Sequence, residues 1–144
     1  MKAIKAIIFS LIIILISACT SNNTFFSIDS PFGPHFAAII GNTIKIYRVG
    51  LYSVNELPDS EFVLPDGYKS VFGFRGDIAV VIDDKVKLYR KDNDNWVELP
   101  DSGFVLPDGY KSAFEFYGGF GVIIDDNVKN YAKGKDNWVE LSKF

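Results

Sequence analysis

Asp59-Ser60-Glu61-Phe62-Val63-Leu64-Pro65-Asp66-Gly67-Tyr68-Lys69-Ser70 returns 42 residues later as Asp101-Ser102-Gly103-Phe104-Val105-Leu106-Pro107-Asp108-Gly109-Tyr110-Lys111-Ser112. The match runs on without a gap. Residues 59–98 and 101–140 are identical at 27 of 40 positions, so one unit was duplicated directly. A more diverged copy lies upstream at the same offset. Ile44-Lys45-Ile46-Tyr47-Arg48 aligns with Val86-Lys87-Leu88-Tyr89-Arg90, and Glu56-Leu57-Pro58 with Glu98-Leu99-Pro100. Val54 stands where the later copies have Trp96 and Trp138.

Within a copy the pattern is that of short strands. Ser70-Val71-Phe72-Gly73-Phe74 alternates, with Phe72 and Phe74 on one face. Ile78–Ile82 is apolar on both faces, as in a strand covered on both sides. Asp83-Asp84 predicts a tight turn, and Val86–Tyr89 alternates again. Asp92-Asn93-Asp94-Asn95 predicts a polar loop before a strand over Trp96–Leu99. Leu64-Pro65-Asp66-Gly67 predicts a turn in which proline fixes one dihedral and glycine supplies a positive φ. No stretch after the first 18 residues carries a capped, helical apolar stripe. The expectation is therefore an all-β chain of three antiparallel repeats of about 42 residues, with copies near 30–58, 59–100 and 101–144.

The first residues belong to another kind of segment. Met1-Lys2-Ala3-Ile4-Lys5 is positive, Ala6–Ile16 is almost wholly apolar, and Thr20–Thr24 is polar. This is the layout of a secretory signal, and the apolar run is short for a membrane span of about 20 residues. Ile16-Ser17-Ala18-Cys19 resembles the lipobox of bacterial lipoproteins. That resemblance implies a signal peptide over 1–18, acylation of Cys19 (palmitate among the acyl chains) and a tether over 19–29. It also implies a lipid-anchored place in the cell envelope. Thr20 is not the aspartate that marks inner-membrane retention in that family, which favours the outer membrane where two are present. Acyl chains contribute about 0.8 kcal/mol per buried methylene, and two or three of them hold a protein firmly.

Composition narrows the function classes. Without Lys2 and Lys5, 13 basic residues face 18 acidic ones. That balance argues against nucleic acid, which is held by basic patches. It also argues against a basic surface lying on anionic lipid, so any membrane attachment must come from Cys19.

The stretches Val86–Pro100 and Val128–Leu141 run from an alternating strand with tyrosine through a polar loop to Asn-Trp and Glu-Leu. They resemble the blades of Kelch-like β-propellers. The resemblance implies blade-like repeats, here a partial β-propeller. Asp83-Asp84 and Asp125-Asp126 stand near the place of the paired glycines of Kelch blades. Three copies of this length also suit a β-trefoil, which is the alternative. Asn130 separates the two. It replaces Leu88 and Ile46, which a terminal repeat tolerates and a symmetric trefoil core does not.

Catalysis has little to work with. His35 is the one histidine and follows Pro34, which predicts a loop position at the entry to the first copy. With the one cysteine lipidated, no zinc set remains. The acidic doublets sit between strands and read as turns before they read as acids or calcium ligands. The recurring aromatics Tyr68, Tyr110, Trp96 and Trp138 are the ligand-binding candidates. Their rings stand near Asp and Asn, which suits the C–H face and hydroxyls of a sugar. The competing role for Trp96 and Trp138 is core filling between sheets. The expectation is a non-enzymatic, lipid-anchored protein-binding or scaffold module without cofactor or metal. It would act on a protein partner or a glycan, and it allows homo-oligomers. A glycan-binding lipoprotein is the alternative.

Overall fold

The computed structural model describes residues 25–28, 35–100, 103–116, 118–134 and 137–141. Cys19 and the proposed signal over 1–18 lie outside the described residues. Among those described, the chain is all-β, with fourteen strands in three antiparallel sheets and no helix.

Two-residue turns set the register. Asp83 and Asp84 adopt φ of 48° and 58°, and Asp125 and Asp126 adopt 46° and 64°. Positive φ at both turn residues matches the right-handed twist of the strands they join, and aspartate enters this region more readily than most side chains. The doublets are thus hairpin turns, as their sequence position indicates. Gly67 and Gly109 take φ of 75° and 76° in the repeated Pro-Asp-Gly turns.

The first sheet is the meander β1 (Phe25–Ile28), β2 (His35–Ile40), β3 (Thr43–Val49) and β4 (Val54–Glu56). The two-residue strand β5 (Phe62–Val63) pairs with the other end of β3, through Ile44↔Phe62. The second sheet repeats this plan. Its meander is β6 (Ser70–Phe74), β7 (Asp77–Ile82), β8 (Lys85–Asp92) and β9 (Asn95–Glu98). The short β10 (Phe104–Val105) pairs with β8 through Phe104↔Val86. The third sheet is β11 (Tyr110–Phe116), β12 (Gly119–Ile124), β13 (Asn127–Lys133) and β14 (Trp138–Leu141).

Three local details differ from the sequence expectation. Asp92–Asn95 is not a loop: Asp92 and Asn95 pair, and Asn93 takes φ of 53° in a tight hairpin. His35 is not a loop residue: it opens β2, is buried, and pairs with Arg48 in the ladder. Phe25–Ile28, in the stretch read as tether, form β1. The sequence copies and the sheets are also out of phase. Phe62-Val63 and Phe104-Val105 open a sequence copy, yet each completes the sheet before it.

The three sheets stack in chain order, with β6 beside both β1 and β11. Gly73 lies where β6 crosses β1; a Cβ there would collide with the Ser27 carbonyl oxygen. Because side chains alternate, each sheet has a face toward the previous sheet and a face toward the next. Between the first and second sheets, Ala37, Ile39, Ile44 and Ile46 meet Val71, Ile78 and Val80. Between the second and third, Phe72, Phe74, Ala79, Val81, Val86 and Leu88 meet Ala113, Phe120, Val122 and Tyr131. Phe62 with Leu64 plugs the first junction, and Phe104 with Leu106 plugs the second. The Phe104 ring lies 4.8 Å from Tyr131, 5.5 Å from Phe120 and 5.5 Å from Trp138.

Candidate functional site

One polar cleft opens where the second sheet meets the third. It measures about 470 Å³ and is lined by Lys69, Ser70, Asp84, Asp108, Tyr110 and Lys111 among others. The repeated Pro-Asp-Gly turn places Tyr110 at the start of β11, while the Asp83-Asp84 turn of the second sheet carries Asp84 to the same rim. Lys69 Nζ donates to Asp84 Oδ1 at 2.5 Å, and Tyr110 Oη donates to the same oxygen at 3.0 Å. The ammonium also stands 5.7 Å from the centre of the Tyr110 ring, in cation–π range. Hydrogen bonds from Lys69 and Tyr110 hold the Asp84 carboxyl below its ordinary value. The same contacts, Asp84 first, hold the Lys69 ammonium above its own. A carboxylate so engaged makes a poor general base. The cleft instead offers charge, hydroxyls and one aromatic ring for recognition.

A second motif recurs on the same face of all three sheets, the face that the second and third turn toward their predecessors. Lys45 Nζ donates to Glu56 at 2.9 Å, Lys87 to Glu98 at 3.3 Å and Lys129 to Glu140 at 3.3 Å. The Tyr89 and Tyr131 hydroxyls donate to Glu98 and Glu140 at 3.3 and 3.4 Å. Burial, followed by the neighbouring glutamate, raises both phenols above their ordinary value. Lys45 also reaches Glu61 at 2.9 Å, and the two carboxylates hold its ammonium well above the usual lysine value. Nearby, Glu56, Leu57, Pro58, Asp59, Glu61 and Asp94 line an acidic cleft of about 610 Å³. Among the described residues, no group of three or more His, Cys, Asp or Glu is disposed to hold a metal ion.

The four aromatic candidates do not share one environment. Trp96 packs on the first junction, 5.6 Å from Phe62, and Trp138 on the second, stacked 4.3 Å from Phe120. Both indole Nε1 atoms are buried without a hydrogen-bond partner. Tyr68 packs half-buried against the first junction, and Tyr110 packs against the second while lining the polar cleft. Sequence reasoning missed Lys69 and Asp84 as companions of Tyr110. Their recurrence as Lys111 and Asp126, which pair at 2.8 Å, was the signal that could have found them.

The other candidate is a sheet face. On the side of the third sheet turned away from the second, Val128 is 47 % exposed, Leu141 42 % and Phe116 40 %. Their repeat equivalents Val86 and Phe74 are 0 % and 6 % exposed, and Leu99 is packed against the second junction. Asn130 stands on this face in the place of buried Leu88, and its Oδ1 is shielded from solvent without a hydrogen-bond partner. Gly121, in the place of Ala79, lies under the Phe114 ring; a Cβ there would meet it at 2.5 Å.

No protein-family model, no curated protein and no solved structure matches this chain.

Proposed function

We propose that this protein is a lipid-anchored envelope protein whose repeat body binds a protein partner without catalysis. The observation that carries the binding reading is the exposed outer face of the third sheet. Residues whose equivalents fill a core one repeat earlier lie open there, and an apolar patch of that origin marks an interaction site. The anchor rests on the basic start, apolar run and Ile16-Ser17-Ala18-Cys19. We read the three sheets as blades of an open propeller array rather than a β-trefoil. Each is a contiguous meander, their first strands lie side by side, and Asn130 sits on an end face.

Two measurements test this. Cys19→Ala is expected to move the protein from membrane to soluble fractions and to end palmitate labelling; unchanged pelleting and labelling would refute the anchor. Hydroxyl-radical footprinting is expected to show Phe116, Val128 and Leu141 protected in the native envelope relative to dilute purified protein. Equal labelling in both would refute the partner.

The Tyr110 cleft supports a second reading, glycan binding, because one aromatic ring lines it together with a carboxylate, ammonium groups and serine hydroxyls. On a glycan array the wild type would bind and Tyr110→Ala would lose at least about tenfold, the cost of one stacked ring. No wild-type binding removes that reading.

A further inference from the structure

We propose that the outer face of the third sheet is covered by the outer face of the first sheet of a second copy, head to tail, and that two copies close into a ring of six sheets. This inference rests on the partner-binding reading above and names the partner. The chain itself shows what such a junction looks like, twice. In each, the face toward the next sheet accepts the face toward the previous one. The third sheet ends the series with an accepting face: Phe114, Phe116, Ile123, Val128 and Leu141 occupy the positions of Phe72, Phe74, Val81, Val86 and Leu99.

The first sheet begins the series with the matching inserting face. By strand alternation, Phe36, Ala38, Tyr47 and Val54 lie opposite the residues that meet the second sheet, and they hold the places of Ile78, Val80, Tyr89 and Trp96. Phe36 and Tyr47 stack there at 5.1 Å. One face of the required pair is thus at each end of every chain. An interface between unlike faces propagates until its rotation closes. Three sheets per chain give six in a dimer, within the range of about 4–8 for closed circular arrays of sheets. A twofold axis along the ring leaves both amino termini on the same side, which suits two anchors in one membrane. The two substitutions that soften the outer faces, Asn130 for leucine and Val54 for tryptophan, fall on the two ends that would meet. Asn130 makes this junction more polar and Val54 makes its contact smaller than the internal ones, as suits a contact that forms after folding.

Sedimentation velocity of the full chain in detergent tests the proposal, with two variants that each spoil one face. Wild type is expected to be a dimer. Val128→Lys alone and Val54→Lys alone should each weaken association by at least about 100-fold, since each buries an unpaired ammonium at the junction. An equimolar mixture should associate more tightly than either variant alone, as an open dimer through one junction, because one variant keeps an intact first-sheet face and the other an intact third-sheet face while the second junction sets lysine against lysine. Should Val54→Lys misfold by circular dichroism, the exposed Glu56→Lys on the same face replaces it. A wild-type monomer, an open filament, or a dimer that survives Val54→Lys but not Val128→Lys would overturn the proposal. A monomer whose third-sheet face is nevertheless protected in the envelope would sink the second copy as partner and leave the partner-binding reading standing. A monomer with no protection would sink both.

Discussion

Phe104→Ala should be among the most damaging single truncations in the described structure, although the residue sits in a strand only two residues long. Its backbone is tied to β8 beside Val86, and the Leu106 amide donates to the Asp84 carbonyl at 2.8 Å. The side chain is 6 % exposed and meets Phe120, Tyr131 and Trp138 at once. Losing the ring forfeits about 2–3 kcal/mol of transfer free energy. The hole is walled by rigid rings from the opposite sheet, so collapse is incomplete and a cavity term of about 1–2 kcal/mol adds to it. The sum is about 4 kcal/mol, a large fraction of the roughly 5–15 kcal/mol that holds a domain together. With a urea m-value of about 2 kcal/mol/M, the unfolding midpoint should fall by about 2 M. Val105→Ala is the control: the neighbouring side chain is 64 % exposed and should cost less than about 0.5 kcal/mol. Should Phe104→Ala fail to fold, Phe104→Leu should still cost about 1–2 kcal/mol. A loss under about 1 kcal/mol for Phe104→Ala, or equal losses at 104 and 105, would refute the plugged-junction account.

Asp77 is buried and held by a two-pronged contact from Arg90, at 2.8 and 2.7 Å. Arg90→Met should cost about 1–3 kcal/mol by stranding that carboxylate, less than a fully buried pair because the guanidinium is more than half exposed. Adding Asp77→Asn should recover part of the loss in a chemical-denaturation double-mutant cycle, and additive losses would refute the coupling. The Lys69–Asp84 pair has its own pH window. Asp84's folded value lies below its ordinary 3.8, so its contribution is present above that value and is lost as pH falls through the lowered one. Lys69 is raised from 10.5, so its contribution is present below that value and is lost as pH rises through the higher one. Carboxyl NMR should place the Asp84 midpoint below 3.8 and show it rising in Lys69→Met; an unchanged midpoint would refute the contact.

Much of the local architecture was legible because local backbone chemistry writes it. The 42-residue repeat, the Asp83-Asp84 and Asp125-Asp126 turns and the strands over Ser70–Phe74 and Ile78–Ile82 follow from turn dihedrals and side-chain alternation within a few residues. The same local logic misjudged His35, whose proline neighbour suggested a loop, and Asp92–Asn95, whose polarity hid a hairpin. Both errors arise because ladder pairing with a neighbouring strand outweighs local preference.

The chain's order of residues alone determined how each sheet is pleated, turned and repeated, since those choices are made between near neighbours. Only the tertiary structure decided that Phe62 and Phe104 finish the sheets before their own, that Tyr110 joins Lys69 and Asp84 at one rim, and that valine is sealed at 86 and open at 128. Burial is a property of what arrives from elsewhere in space, so identical residues at equivalent positions of related repeats have different fates wherever the series of sheets has an end.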